Sequence, residues 1–427
     1  LPKPDRQNAW RAIAAASVGN ALEFYDLLIY GYFAATLGKA FFPAINPTTS
    51  LLLSVATFGV SYVARPFGAV ILGAYADKAG RKAALTITIN LMLVGTALLV
   101  LAPTYAQIGI FSPLIVVFAR LLQGFSAGGE FGAATAFMVE HADAKRRGFF
   151  ASWQSSTQGM ATILAAGLSA WLSYILSPAQ LDAWGWRIAF GVGLLIGPVG
   201  LYIRRGIDET PEFAALSVES KAGNALKRVW ADDRRALLLG IAIVAGVTAF
   251  NYVHKLYMAT YATETLHIAM TSSFLGALAT GIILTVMAPI FGLLSDRIGR
   301  YRVLGTALAV AGLTSLPIFL ALNAWPTTTT LLVVQVIVGF LIAATLGPTP
   351  AILADLFPPR TRGTGLAVSY NFSVTLFGGF APLVITSLIA VTGNTLMPAF
   401  YVIAIILVSF IAVVTATRNA DRTPGCV

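Results

Sequence analysis

The chain has 427 residues, 57% of them apolar and only 11% charged, where soluble domains carry about 25% charged residues. That composition excludes an ordinary soluble protein and leaves a polytopic membrane protein. The formal net charge of +10 falls in short segments between apolar runs, so it is a topology signal and not a nucleic-acid face.

The first ten residues are polar, and no short apolar stretch with a small-residue cleavage site follows them, so no signal peptide is expected. Apolar runs then recur along the chain, each long enough to cross a hydrocarbon layer of about 30 Å. They predict twelve helices, at 12–38, 50–74, 84–103, 111–139, 148–176, 186–204, 236–262, 272–294, 303–322, 328–354, 364–391 and 396–416. The connections on one face ("GKAFFPAINPTTS", "APTYAQIG", "SPAQLDAWGW", "TETLHIAMTSS", "NAWPTTTT", "TGNT") are short and poor in cations. All but five of the 28 Lys and Arg fall on the other face, the exceptions being Lys39, Arg65, Arg120, Arg187 and Lys255. The positive-inside rule then places both termini in the cytoplasm. The longest and most charged cytoplasmic stretch, 205–235, is a linker between a first six-helix bundle, 1–204, and a second, 236–427. Cys426, the single cysteine, excludes an intrachain disulfide.

The two bundles are repeats. "GAYADKAGRK" after the second helix and "GLLSDRIGRYR" after the eighth both match G-x-x-x-D-[KR]-x-G-R, and "RRGFFASWQSS" and "TRGTGLAVSYN" follow the fourth and tenth helices. Two related halves, each of six helices, are therefore present. Asp77 with Arg81, and Asp296 with Arg300 or Arg302, stand at the cytoplasmic boundary, where such pairs act as latches that break and re-form.

These motifs resemble the major facilitator superfamily over essentially the whole chain. "GNALEFYDLLIYG", "ARPFGAVILGAYADKAGRK", "RLLQGFSAGGEFG", "RRGFFASWQSSTQG" and "WGWRIAF" resemble, more narrowly, its metabolite:proton symporter branch, which includes carriers of citrate and tricarballylate, 2-oxoglutarate, shikimate, and proline and betaine. The resemblance implies an all-α fold of twelve transmembrane helices in two pseudo-symmetric bundles, and a secondary transporter of the inner membrane coupled to protons or another cation.

Polar groups at membrane depth each need a partner or a role, because an unpaired charge there costs at least ~2.5 kcal/mol. In the first helix Asn20, Glu23, Asp26 and Tyr30 recur at spacings of three, three and four and form one stripe. Its carboxylates lie roughly 16 to 21 Å of axial rise from Ala12. They are either proton or cation sites or permanent counter-charges to arginines. The fourth helix carries Arg120, Gln123 and Glu130, with Gly124, Gly128 and Gly132 as a packing stripe. Arg120 either pairs with an acid of the first helix or grips an anionic substrate, and Glu130 is a third coupling candidate. Arg65 suits a pairing role. Gln154, Gln158 and Thr162 form a neutral stripe on the fifth helix. In the seventh, "FNYVHKLYMATYATETL" offers Asn251, Tyr252, His254 and Lys255, the lysine either snorkelling outward or facing the cavity opposite Arg120. The eleventh adds Tyr370 and Asn371, and Gly347, Pro348 and Pro350 break the tenth.

A cation from each half suits a substrate with two or more carboxylates, such as citrate or tricarballylate, moved by alternating access around one shared hollow. A zwitterionic osmolyte or a monocarboxylate such as shikimate is the rival within transport, and a channel or transporter-like receptor the rival from another class. His141, His254 and His267 are scattered and form no metal-ligand or catalytic cluster, so neither an enzyme nor a cofactor is expected. The coupling ion is a proton, with sodium as the alternative, and the unit is a monomer in the bilayer.

Overall fold

The structure, a computed structural model, describes residues 6–44, 46–79, 81–140, 144–205, 225–358 and 362–422. Twelve spans run through them. The first half comprises α1 (Arg6–Tyr32, continued after a turn at Phe33 as Ala34–Phe41), α2 (Pro47–Ala79), α3 (Arg81–Leu101), α4 (Phe111–Glu140), α5 (Arg147–Ile175) and α6 (Trp186–Arg205). The second comprises α7 (Arg234–Asn251, extended by wide turns to Thr265), α8 (Met270–Ile298), α9 (Arg300–Ala324), α10 (Thr328–Leu346 and Thr349–Leu356), α11 (Arg362–Val374, a wide turn, then Ala381–Thr392) and α12 (Met397–Arg422). Several helices outrun the predicted spans: the 33 residues of α2 rise about 50 Å, because a helix continues through the headgroup layer after its apolar stretch ends.

Of the linker, 206–224 lie outside the described residues, as do Cys426 and His141; its last part is a short helix, Ala225–Asp232, ending one residue before α7. The break in α10 falls where Gly347, Pro348 and Pro350 predict it. Gly347 N–H still reaches the Ala343 carbonyl at 2.9 Å, and Thr349 Oγ1 donates to the Thr345 carbonyl at 2.6 Å, so the interruption leaves these carbonyls partnered, as hydrocarbon demands. Nothing in the residue pattern announces the π-type turns at Tyr252–Tyr257 and Tyr261–Thr265 in α7 and at Thr375–Gly379 in α11.

Small residues let the backbones meet. Within the first half, Gly124 and Gly128 of α4 lie against the Ser61 and Arg65 carbonyls of α2, while Gly132 reaches across to α11 at Gly363 and Ala367; the glycine stripe of α4 thus serves two neighbours. Between the halves α5 packs along α8. A Cβ on Gly148 would stand 2.7 Å from the Gly292 carbonyl, and one on Gly292 2.6 Å from that of Gly148. Higher up, a Cβ on Gly159 would stand 2.6 Å from the Thr285 nitrogen. Among the described residues, all six spans of the second half are long and apolar enough to be recognised as membrane-crossing by composition, but only α2 and α4 of the first.

Candidate functional site

The five cations away from the positive face show where the chemistry is. Two are structural at the end opposite the loop motifs: Lys39 pairs with Asp182 at 2.9 Å, and Arg187 donates to the carbonyls of Val100, Ala102 and Ala183, satisfying the exposed end of α3. The other three are buried.

Arg65 of α2 meets Glu23 of α1, Nη2 to Oε1 at 2.7 Å, with both side chains buried, and its guanidinium lies 4.4 Å over the Tyr62 ring. Arg120 of α4 meets no carboxylate among the described residues. Its Nη1 donates to Gln123 Oε1 at 2.7 Å and its Nη2 to Ser61 Oγ at 3.1 Å, and it sits 4.4 Å over Tyr30 and 5.5 Å from Phe58. Gln123 carries the contact onward: its Nε2 donates to Asp26 Oδ2 at 3.2 Å and to Thr96 Oγ1 at 3.0 Å. The Thr96 hydroxyl also bonds Asp26 Oδ2. The other carboxylate oxygen, Asp26 Oδ1, has no hydrogen-bond partner and faces Gly193 of α6, where a Cβ would stand 2.6 Å from it. Glu23, Asp26, Ser61, Arg65, Arg120 and Gln123 line a cavity of about 10 Å³, the size of a single water. Glu130 is buried and within Coulombic reach of Glu23.

Lys255 of α7 is the third buried cation. It is 2% exposed, so it does not snorkel. Its Nζ stands 3.5 Å from Gln158 Oε1 of α5 and 5.3 Å from the centre of the Phe24 ring of α1, at the seam between the halves. The charged members of the acid–arginine cluster all come from the first half, and Lys255 faces the Phe24 side of α1. The reason is helical geometry: a step of about 100° per residue turns Glu23, Asp26 and Tyr30 toward α2, α3 and α4 while Phe24 faces α7.

Other expected residues join helices together here. Asn20 donates to the Gln154 carbonyl at 3.1 Å, and the Gln154 side chain accepts from Thr135. Tyr370 stacks on Phe131 across the seam at 3.4 Å, and Asn371 donates to the Gly128 carbonyl at 3.3 Å. Tyr252 meets Tyr62 hydroxyl to hydroxyl at 3.1 Å, and Asn251 is buried with its side-chain oxygen unpartnered. His254 is not brought to the seam. Its Nδ1 lies 3.0 Å from the Phe250 carbonyl, and its ring sits between Phe250 and Phe319 inside the second bundle; one residue from Lys255, it faces the opposite way.

At the end of the seam that carries the loop motifs Asp296 accepts from the Gly148 and Phe149 amides at 2.8 and 2.9 Å, capping the start of α5 across the seam where the helix dipole favours an anion. Arg300 holds Asp296 at 3.1 Å and also pairs with Asp355, which lies 3.8 Å from Arg147. The side chains of Asp77 and Arg81 lie outside the described residues. Midway along the seam Thr375 donates to the Tyr62 carbonyl at 2.8 Å and Gly379 lies beneath the Tyr62 ring, and toward the other end Phe274 packs on Tyr32 and Phe33.

Thr96, Ser61, Tyr62, Gly193 and Asp355 were not singled out by sequence reasoning. Asp355 had a signal, a carboxylate just before the second loop motif in "ADLFPPR". Thr96 and Gly193 had none, since one threonine or glycine among apolar residues looks like packing.

Known families and structures fit this geometry. Residues 12–234 match the family described as sugar (and other) transporter, and 237–425 match the Major Facilitator Superfamily. The chain is 35% identical over 393 residues to the citrate-proton symporter of Klebsiella pneumoniae, covering 91% of this chain and 88% of that one. It is 32% identical over 427 residues to the proline/betaine transporter of Escherichia coli strain K12, covering 96% and 84%. Its fold superposes on the xylose transporter XylE of E. coli in a partially occluded inward-open conformation, with a TM-score of 0.77 at 15% identity over 96% of this chain and 98% of that one. The chain belongs to the major facilitator superfamily, in its metabolite:proton symporter branch, and is a membrane transporter rather than an enzyme.

Proposed function

We propose that the protein is a proton-coupled symporter of a small organic anion, a di- or tricarboxylate such as citrate, carried across the bacterial inner membrane by rocking of the two halves, with both termini cytoplasmic. The observation that carries the substrate class is Lys255. An ammonium buried at the seam with only a neutral amide oxygen at 3.5 Å is costly, and a carboxylate arriving between the halves relieves that cost. Arg120, also without a carboxylate partner, supplies a second cation from the first half. Similarity to a citrate-proton symporter supports this reading.

Asp26 is the proton site. Glu23 has a full counter-charge at 2.7 Å, whereas Asp26 is held only by a hydroxyl and an amide and has one oxygen free. A buried carboxylate without a cation is the one that gains most by taking a proton. Asp296 and Arg300 form the cytoplasmic latch. A zwitterionic osmolyte is the second reading, supported by similarity to a proline/betaine transporter. The aromatic rings that would receive a quaternary ammonium argue against it, since Tyr62, Tyr30, Phe58 and Phe24 already face Arg65, Arg120 and Lys255.

The test is uptake of citrate and of glycine betaine by purified protein in liposomes with and without a pH gradient. Saturable citrate uptake that collapses with the gradient, and a Lys255→Gln variant at least about tenfold weaker for citrate, is the expected result. Betaine uptake unaffected by Lys255→Gln, with no citrate uptake, overturns the anion reading, and dependence on a sodium gradient alone overturns proton coupling.

A further inference from the structure

Arg120 and Asp26 are both fully inside the first bundle, yet they do not touch. One amide stands between them. Gln123 Oε1 accepts from Arg120 Nη1 at 2.7 Å while its Nε2 donates to Asp26 Oδ2 at 3.2 Å. Arg120 and Gln123 are three residues apart on α4 and so share a face. Gly95 of α3 leaves the room the amide needs: a Cβ there would stand 2.7 Å from Gln123 Cγ. The amide has only one workable orientation. Turned over, its NH2 would meet the guanidinium donors and its carbonyl the carboxylate.

From this geometry we infer that Gln123 is the positioning residue that passes the protonation state of Asp26 to Arg120. The inference rests on the reading of Asp26 as the proton site. While Asp26 is ionised, the amide is locked between an anion and a cation, and Arg120 is held by a charge-assisted bond. A proton arriving at Asp26 forms its O–H bond at Oδ1, the oxygen without a partner, and cancels the charge at Oδ2 that oriented the amide. Nε2 then keeps only uncharged acceptors, Thr96 Oγ1 at 3.0 Å and the carbonyl oxygen of the protonated Asp26, so the amide holds Arg120 less firmly, and Arg120 has Ser61 Oγ and the Tyr30 and Phe58 rings as its other contacts. It is released toward a substrate carboxylate, so proton binding precedes and strengthens anion binding.

The charged and titratable groups around Asp26 are consistent with that assignment. α1 brings Glu23, Tyr25 and Tyr30, and α2 brings Arg65, which is committed to Glu23. α4 brings Arg120 and Glu130, while α3 and α6 face Asp26 with Thr96 and Gly193. Among the described residues, Gln123 alone hydrogen-bonds both Asp26 and Arg120.

The experiment measures citrate affinity between pH 5.5 and 8 for the purified transporter, together with counterflow and proton-driven accumulation in liposomes; glycine betaine replaces citrate should citrate not bind. The wild type is expected to bind about tenfold more tightly at the acid end, the worth of one charge-assisted bond, and Asp26→Asn to be flat. A flat wild type, or an Asp26→Asn variant that still accumulates, overturns the proton-site reading and this inference with it. Given a sloped wild type and a flat Asp26→Asn, Gln123→Met is expected to be flat as well, with counterflow retained and accumulation lost. Gln123→Asn keeps the amide and its polarity, so a need for a polar group alone would be met by it, but it is one methylene too short to span both partners, and it too is expected to be flat. A wild-type slope with accumulation in either variant overturns the relay.

Discussion

The two halves are repeats in sequence and fold, but they solve the problem of polar groups in hydrocarbon differently. The first half gathers its charges into one internal cluster, Glu23 with Arg65 and Asp26 with Arg120 through Gln123. The second half contributes one buried lysine at the seam, Lys255, on a helix widened by two π-type turns. The lesson is a division of labour: charge compensation that must be kept through the cycle is built inside a rigid bundle, and the group left uncompensated is placed where the halves part.

That contrast can be broken most severely at Arg65. Arg65→Leu leaves Glu23 buried without its counter-charge, and removing one partner of such a pair costs about 3–5 kcal/mol. The expected outcome is loss of folded protein from the membrane, read by detergent-extracted yield and thermal unfolding. The double variant Glu23→Leu with Arg65→Leu should recover most of the yield, since two apolar residues replace a satisfied pair. Recovery of uptake by the double variant would then mean that Glu23 is only a counter-charge.

The next effect in size lies at the proposed latch, Asp296 with Arg300. Asp296→Asn keeps the shape but weakens two amide bonds and the contact to Arg300, about 1.5–3 kcal/mol for bonds to a charged group. The expected result is a shift of the resting population toward the inward-open form, measured as faster labelling of a cysteine introduced on α5 near Ser152, with citrate affinity changed less than about threefold. Unchanged labelling would leave the Asp296 contacts as packing.

A smaller effect is expected at Gly193. A methyl there meets Asp26 Oδ1 at 2.6 Å, so Gly193→Ala should crowd the oxygen that takes the proton. Accumulation is expected to fall several-fold while counterflow holds, and equal loss of both would point to disturbed packing of α6 instead.

How much of this could be read from the chain itself follows the same division. The twelve spans, the two halves and the break at Gly347–Pro348 are consequences of hydropathy, repetition and proline stereochemistry, all local in sequence. The pairing of Arg65 was within reach too, because a buried arginine has few alternatives. The partition of the site was not. Placing Lys255 and Asp26 in one hollow assumes that both project to the same space, but the rotation of α1 and the wide turns of α7 decide that. A π-type turn carries no residue signature in Tyr252–Tyr257. His254 went astray for the same reason, a neighbour of Lys255 in sequence that the helix turns inward. Gln123 stood out as polar, but its role between Asp26 and Arg120 needs Thr96 and Gly95 of α3, brought near only by packing.

The smallest expected effect tests whether the widened helices really are where the halves part. Tyr62 of α2 is gripped by both: its hydroxyl meets Tyr252 at 3.1 Å, its carbonyl accepts from Thr375 at 2.8 Å, and Gly379 lies under its ring. Tyr62→Phe removes only the hydroxyl contact, about 1 kcal/mol, and leaves the ring packing and the backbone bond in place. If α7 and α11 swing away from α2 when the outer side opens, the variant should open more readily, seen as a severalfold faster reaction of a cysteine replacing the buried Ser54 of α2 with a membrane-impermeant reagent, while citrate affinity at saturating proton concentration stays within about twofold. Should Tyr62→Phe instead slow labelling, the Tyr62–Tyr252 contact belongs to the open form and the two halves separate along a different line.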